Sequence, residues 1–125
     1  MRMNIFKIFL LFVFTITMVK AQGDNTNSIT VKELKEKLNS DKELVLIDVR
    51  TPEELTGPLG KIDQAINIPL NELASRINEL QKYKDDDIVV ICRTQNRSAS
   101  AADYLNQNGF KSKYVLGGMT AFRQK

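Results

Sequence analysis

The chain has 125 residues, enough for one domain, and it contains a single cysteine and no histidine. This composition excludes an internal disulfide, the usual histidine/cysteine zinc sites and any catalytic triad that needs histidine. The chemistry that remains is a thiol, Cys92, acting with arginines, carboxylates and backbone amides, and we expect no metal and no cofactor.

The first 21 residues have the pattern of a secretory signal peptide. A basic start precedes an apolar stretch, and Ala21 closes a small-x-small motif. The uninterrupted apolar part, residues 8–19, is too short for a transmembrane helix, which needs about 20 residues. We therefore predict a signal peptide over 1–21, a flexible lead over 22–28 and one domain over 29–125. The protein is expected to be exported to the periplasm or the extracellular space, without stable membrane association after cleavage. A retained N-terminal anchor is the alternative.

The net charge of +3 comes from this leader. Arg2, Lys7 and Lys20 lie within it and no acidic residue does, so the rest of the chain has 15 basic and 15 acidic residues. A neutral domain gives no support for binding nucleic acid or an anionic membrane.

Strand and helix patterns alternate along the rest of the chain. A brief edge strand at residues 29–30 leads into a helix that Thr30 can cap. The apolar run 44–47 predicts a strand buried on both faces. A cap residue, a proline and two acids over 51–54 then predict the start of a second helix.

The later elements continue this alternation. In chain order they are a strand over 65–68, a helix from Leu70 to about Leu80, a strand over 88–91, a helix that opens near Arg97 or Ser98, a strand over 113–116 and a final helix over 119–122. Such alternation predicts an α/β domain with a mainly parallel sheet. Ligands bind at the carboxyl ends of such strands, where Asp48 and Cys92 both fall.

Cys92 follows the most strongly β-branched run in the chain and precedes a short loop into a helix. The first amides of a helix lack internal partners, and the helix dipole adds about half a positive charge there. Arg93 and Arg97 bring two further positive charges. These features favour a thiolate and a cradle for an anion. The alternative is a small buried apolar residue at a strand end.

Several segments together resemble the single-domain rhodanese family in their order and spacing. They are DVRTPEE at 48–54, AINIPL at 65–70, CRTQNRSA at 92–99, GF at 109–110 and LGGM at 116–119. The resemblance runs from about Ile29 to Phe122 and implies a rhodanese-like α/β fold, with a five-stranded, mainly parallel sheet and helices on both faces. It also implies a sulfurtransferase in which Cys92 takes sulfur from a small anionic donor such as thiosulfate. The resulting persulfide would pass its sulfur to a thiol or a protein acceptor.

The same resemblance implies roles for the residues around Cys92. The implied substrate and persulfide loop consists of Arg93, Thr94, Gln95, Asn96, Arg97 and Ser98, with Asp48 and Arg50 in support. Backbone amides of this loop would stabilise the persulfide, and the side chains of Arg93 and Arg97 would attract the donor. For Asp48 a loop cap is the alternative role, and for Arg50 a carboxylate partner. Ser98 is interpreted first as a helix-start residue.

Two stretches depart from the family pattern. Gln95 stands where the family often has glycine, which predicts a reshaped or strained loop because glycine alone tolerates positive φ freely. Lys61, Asp63 and Gln64 also depart, in a segment expected near the site, so they would affect substrate access.

Two other functions remain open from the sequence. Cysteine phosphatases also hold a thiolate before a helix, but their arginine lies six positions after the cysteine. Here Ser98 occupies that position and Arg97 lies at five. The second alternative is a persulfide carrier or a docking module with little turnover of its own. In each case we expect a monomer.

Overall fold

The structure is a computed structural model, and it describes residues 27–41 and 43–125. The predicted signal peptide, 1–21, and most of the predicted lead lie outside the described residues. Among the described helices, none has the length and the apolar content needed to cross a bilayer.

Five strands form one sheet with the spatial order β1-β5-β4-β2-β3, and each neighbouring pair is parallel. The strands are β1 (Ser28–Ile29), β2 (Val45–Asp48), β3 (Ile66–Asn67), β4 (Asp87–Ile91) and β5 (Lys111–Val115). The predicted five-stranded α/β fold is therefore confirmed. The edge strand begins at Ser28, so this residue belongs to the sheet and not to the lead.

The described residues contain five α-helices, of which the first four connect the strands and the last follows β5. They are α1 (Val31–Ser40), α2 (Pro52–Leu55), α3 (Leu70–Arg76), α4 (Asn96–Gln107) and α5 (Gly118–Phe122). Thr30 caps α1 as predicted, because its hydroxyl oxygen accepts a 3.1 Å hydrogen bond from the amide of Glu33. Helix α4 begins at Asn96, slightly earlier than predicted.

The prediction of one helix from Leu70 to about Leu80 was wrong in its second half. The α-helix ends at Arg76, and a 3-10 helix, Ile77–Tyr83, follows it. A 3-10 helix has three residues per turn, so positions three apart line up along one side. Ile77, Leu80 and Tyr83 have this spacing, and all three pack against the same core. The tighter helix thus presents a continuous apolar line to the sheet.

The two faces of the sheet carry separate cores, because successive side chains of a strand point to opposite faces. In β4, Ile88 and Val90 face the core covered by α3 and α4, while Val89 and Ile91 face the core covered by α1 and α5. Cys92 continues the first set and joins the core on the α4 side. This alternation places the thiol beneath the first turn of α4.

Candidate active site

Cys92 is a free cysteine directly after β4, and only 1% of its surface is exposed. Its sulfur contacts the first turn of α4 through one residue, Ser98. The amide of Ser98 donates to Sγ at 3.4 Å, and the thiol donates to the Ser98 hydroxyl oxygen at 3.3 Å. That hydroxyl in turn donates to the carbonyl of Gln95 at 3.1 Å. The sulfur therefore has an amide donor and a hydroxyl within reach, which together suit a thiolate or a persulfide.

Helix α5 holds the loop that follows Cys92 from the other side. The amide of Met119 donates to the carbonyl of Cys92 at 2.9 Å, and the amide of Thr120 donates to the carbonyl of Arg93 at 3.0 Å. The peptide bonds of the described residues are trans. A trans peptide points its N–H away from its C=O. The amides of Arg93 and Thr94 therefore face away from α5.

Gly118 permits this close approach between α5 and the loop. Its φ is +54°, in the left-handed region that favours glycine. A β-carbon at this position would clash with the carbonyl oxygens of Cys92 and Thr94. Only glycine fits here, for both reasons.

Asp48 and Arg50 form a buried ion pair at the carboxyl end of β2. Their closest approach is 2.7 Å, and each residue is 1% exposed. Asp48 Oδ1 also accepts from the backbone amide of Arg50 at 3.0 Å, and the guanidinium donates to the carbonyl of Gly60 at 2.9 Å. Asp48 thus caps its own loop and Arg50 pairs with a carboxylate, which is the structural alternative weighed from the sequence. Neither side chain contacts the sulfur.

Arg97 points to α2 rather than to the thiol. Its two terminal nitrogens each lie 2.7 Å from one carboxylate oxygen of Glu54. The hydrogen bonds from Arg97 are the largest cause that lowers the pKa of Glu54 from 4.5 to about 2, with smaller help from Thr51. In return, Glu54 raises the pKa of Arg97. The positive charge of Arg97, which was expected from the sequence to attract the donor, is therefore largely offset by Glu54.

The rest of the predicted loop lies at the surface. Arg93, Thr94, Gln95 and Asn96 are exposed, and the guanidinium of Arg93 forms no ion pair within the described part of the chain. Gln95 has a φ of −158°, outside the left-handed region that favours glycine, so the loop does not need glycine at this position. Arg93 is the free cation nearest to the cysteine in sequence.

A cavity of about 420 Å³ lies beside this loop. Arg93 and Thr120 form part of its lining, and the segment 57–59 forms another part. The segment expected to control access does not line it. Lys61, Asp63 and Gln64 instead line a different surface cavity, next to α1 and Phe122. Over residues 27–41 and 43–125, no cluster of three or more potential metal ligands is present.

Two residues of this site were missed from the sequence. Glu54 lies 43 positions before its partner Arg97, and no local pattern relates them. Gly118 was noted only within the segment 116–119 of the family resemblance, although the doubled glycine before a helix was a signal that backbone approaches closely there.

Comparison with known proteins points to one family. The model of the rhodanese-like domain family matches residues 30–125. YtwF of Bacillus subtilis, a sulfurtransferase by name, is 42% identical over 94 residues, which cover 75% of this chain and 87% of YtwF. YrkF of the same organism, a sulfur carrier protein by name, is 37% identical over 101 residues, covering 78% of this chain and 52% of YrkF. The crystal structure of a rhodanese-like domain protein from Staphylococcus aureus is 36% identical, with a TM-score of 0.70, covering 78% of this chain and 92% of that one.

Replacement of Arg50 by Met should destabilise the fold by about 3–5 kcal/mol, because it leaves the carboxylate of Asp48 buried without its partner. Urea unfolding measures this loss. Arg76→Met is the matched control, since Arg76 is a partly exposed arginine with surface carboxylate partners, and it should change stability by less than about 0.5 kcal/mol. Equal effects of the two variants would contradict the buried pair.

Replacement of Glu54 by Gln should lower stability near pH 6 by about 1–2 kcal/mol, a figure reduced for the partial exposure of the pair. The folded-state pKa of Glu54 is depressed to about 2, so its contribution is present above pH 4.5 and is lost as the pH falls from about 4.5 toward 2. The gap between wild type and variant should therefore narrow below pH 4.5 in urea unfolding. Glu53→Gln, in the same helix, is the control. It keeps the contact between Glu54 and Arg97, so its unfolding free energy should keep most of the pH dependence of the wild type. A gap that stays constant from pH 6 to pH 3 would argue against the assignment.

Replacement of Gly118 by Ala should cost more than about 2 kcal/mol, since the added methyl meets backbone oxygens that cannot move away cheaply. Gly109→Ala separates this clash from the conformational penalty alone. Gly109 also has a positive φ, +85°, but its new β-carbon would meet only the flexible end of Lys84, so about 1 kcal/mol is expected. Thermal or urea unfolding compares the two, and similar losses would remove the argument for close approach.

Proposed function

Because this chain belongs to the rhodanese-like domain family, we propose that it is a sulfurtransferase that moves sulfane sulfur from a small anionic donor, such as thiosulfate, to a thiol acceptor. The carrier of the sulfur is a persulfide on Cys92. The observation that supports this most directly is the lone thiol at the end of β4, contacted by both the amide and the hydroxyl of Ser98.

In the first step, the thiolate of Cys92 attacks the outer sulfur of the donor. A new sulfur–sulfur bond forms to Sγ, the sulfur–sulfur bond of thiosulfate breaks, and sulfite leaves with the electron pair. In the second step, an acceptor thiolate attacks the outer sulfur of the persulfide, and the thiolate of Cys92 leaves. The enzyme returns to its starting state without a net change in oxidation state, as covalent catalysis in two half-reactions requires.

Ser98 can adjust to the charge on the sulfur. With a protonated thiol, its hydroxyl accepts from Sγ and donates to the carbonyl of Gln95. When the thiol loses its proton, the hydroxyl hydrogen can rotate from that carbonyl toward the sulfur, while the Ser98 amide continues to donate. Two donors then face the negative sulfur, and preorganised donors of this kind stabilise charge at a reacting atom.

Arg93 is the residue that we assign to attraction of the donor. It is exposed, it lines the cavity beside the loop, and it follows the cysteine directly. Arg97 has a different role, because its bidentate pair with Glu54 ties the first turn of α4 to α2. In this arrangement one positive charge, that of Arg93, faces the donor, and the groups around the sulfur carry no net charge.

The ion pair of Arg97 also argues against phosphatase chemistry. A cysteine phosphatase uses its loop arginine to grip the phosphate oxygens, and such binding needs a guanidinium fork that is free to turn inward. Here the fork is already filled by the carboxylate of Glu54. A phosphatase should hydrolyse p-nitrophenyl phosphate, and we expect no such activity.

A persulfide carrier is the second candidate function, and the similarity to a protein named as a sulfur carrier supports it. Burial of Cys92 suits a carrier, because a shielded persulfide survives longer. A carrier would load one sulfur per chain and turn over slowly with thiosulfate and cyanide, whereas a sulfurtransferase would turn over repeatedly.

Treatment of the full chain with thiosulfate should add one sulfur atom per molecule, detected by intact-protein mass spectrometry. Cys92→Ser should remove this gain entirely, because no other thiol is present. Ser98→Ala keeps the amide but removes the hydroxyl, so we expect loading to persist while its rate falls about tenfold, the effect of one lost hydrogen bond to a charged group.

Absence of any mass gain in the wild type, under conditions where a known sulfurtransferase loads, would refute the persulfide.

The same spectrum tests the export proposal for residues 1–21, since protein recovered from a secreting host should lack them. An intact N-terminus would favour a retained anchor.

A further inference from the structure

Three consecutive carbonyls, the first of them at the edge of the cavity, are each bound by an arginine. The carbonyls of Leu59 and Lys61 accept from Arg123, at 2.8 and 3.0 Å, while the carbonyl of Gly60 between them accepts from Arg50 at 2.9 Å. Leu59 lies on the cavity, in the wall formed by residues 57–59. Arg123 on one side of this short segment and Arg50 on the other therefore fix the position of that wall.

Helix α5 reaches both walls of the same cavity. Near its N-terminus, the amides of Met119 and Thr120 bind the loop after Cys92. Directly after its C-terminus, Arg123 binds the segment 59–61. Thr120 itself lines the cavity between these two attachments. A single short helix thus spans the opening and links its two sides.

We propose that Arg123 is a specificity-determining positioning residue, which sets the width of the cavity by holding the segment 59–61 at a fixed distance from the cysteine loop. A fixed, narrow opening admits a compact sulfur donor and disfavours a bulky organic one. The part of this inference that concerns donors depends on the proposed sulfurtransferase function, while the part that concerns width does not.

The bonds of Arg123 are separable from the stability of the fold. Arg123 is exposed and belongs to neither buried core, although its guanidinium lies 5.3 Å from the centroid of the Phe122 ring. Arg50 independently holds the carbonyl of Gly60 from the inside and is anchored by Asp48. Loss of the outer arginine should therefore loosen the wall without unfolding the domain.

Arg93, the residue next to Cys92, lines the cavity, so we expect reagents to approach the thiol past it. The rate of thiol modification then reports on the width, and the chain has only one thiol. The full chain would be alkylated with iodoacetamide and, separately, with N-pyrenylmaleimide, and the ratio of the two second-order rates compared between variants. Both reagents attack the same thiolate, so any change in its ionisation cancels in the ratio. In Arg123→Ala the bulky reagent should gain about fivefold over the small one, as expected for loss of two hydrogen bonds at a partly solvated site.

Arg76→Ala is the matched control, a partly exposed arginine that binds carboxylates on α3 and the 3-10 helix and does not line the cavity. It should leave the ratio within about twofold of the wild type. A ratio equally unchanged in Arg123→Ala would overturn the proposal, provided that circular dichroism shows both variants folded. An unfolded Arg123→Ala would overturn it as well, since the residue would then act through stability.

Donor preference is tested by the ratio of kcat/KM for thiosulfate to that for an aryl thiosulfonate. This ratio should fall about fivefold in Arg123→Ala, in step with the alkylation ratio. An unchanged donor preference beside a changed alkylation ratio would overturn the specificity role. A wild type that takes sulfur from neither donor would refute the proposed function instead, and the alkylation experiment would still decide the width.

Discussion

Two backbone hydrogen bonds, from the amides of Met119 and Thr120 to the carbonyls of Cys92 and Arg93, set the orientation of the loop on which the site depends. They direct the carbonyls toward α5 and the following amides away from it. Such bonds require the two backbones to lie closer than any side chain at Gly118 would permit. Gly118, on one side of the sheet, therefore determines the position of the loop after Cys92, whose thiol lies on the other side.

Charged residues around this loop mainly organise the protein. Arg50 is neutralised by Asp48 and Arg97 by Glu54, and both pairs fasten the α2 region to neighbouring segments. A buried pair contributes little net stability but makes the loss of one partner costly. The structure thereby fixes loop positions with paired charges, whereas Arg93 forms no ion pair among the described residues.

The sequence predicted the parts of the fold that depend on local patterns. The β-branched run before Cys92 and the cap at Thr30 are local, and both predictions were confirmed. The 3-10 helix after Arg76 was missed because apolar residues three apart suit either helix, and tertiary packing decides between them. The pair of Glu54 and Arg97 was missed because partners so distant along a chain are joined only by the fold.

Burial of the single thiol has a consequence for how copies of the protein meet. A disulfide requires two Cα atoms about 4.4–6.8 Å apart. Cys92 lies at 1% exposure beneath the first turn of α4, so two folded domains cannot bring the Cα atoms of their cysteines to that separation. An oxidising environment would therefore leave the thiol of one folded chain unpaired with that of another copy.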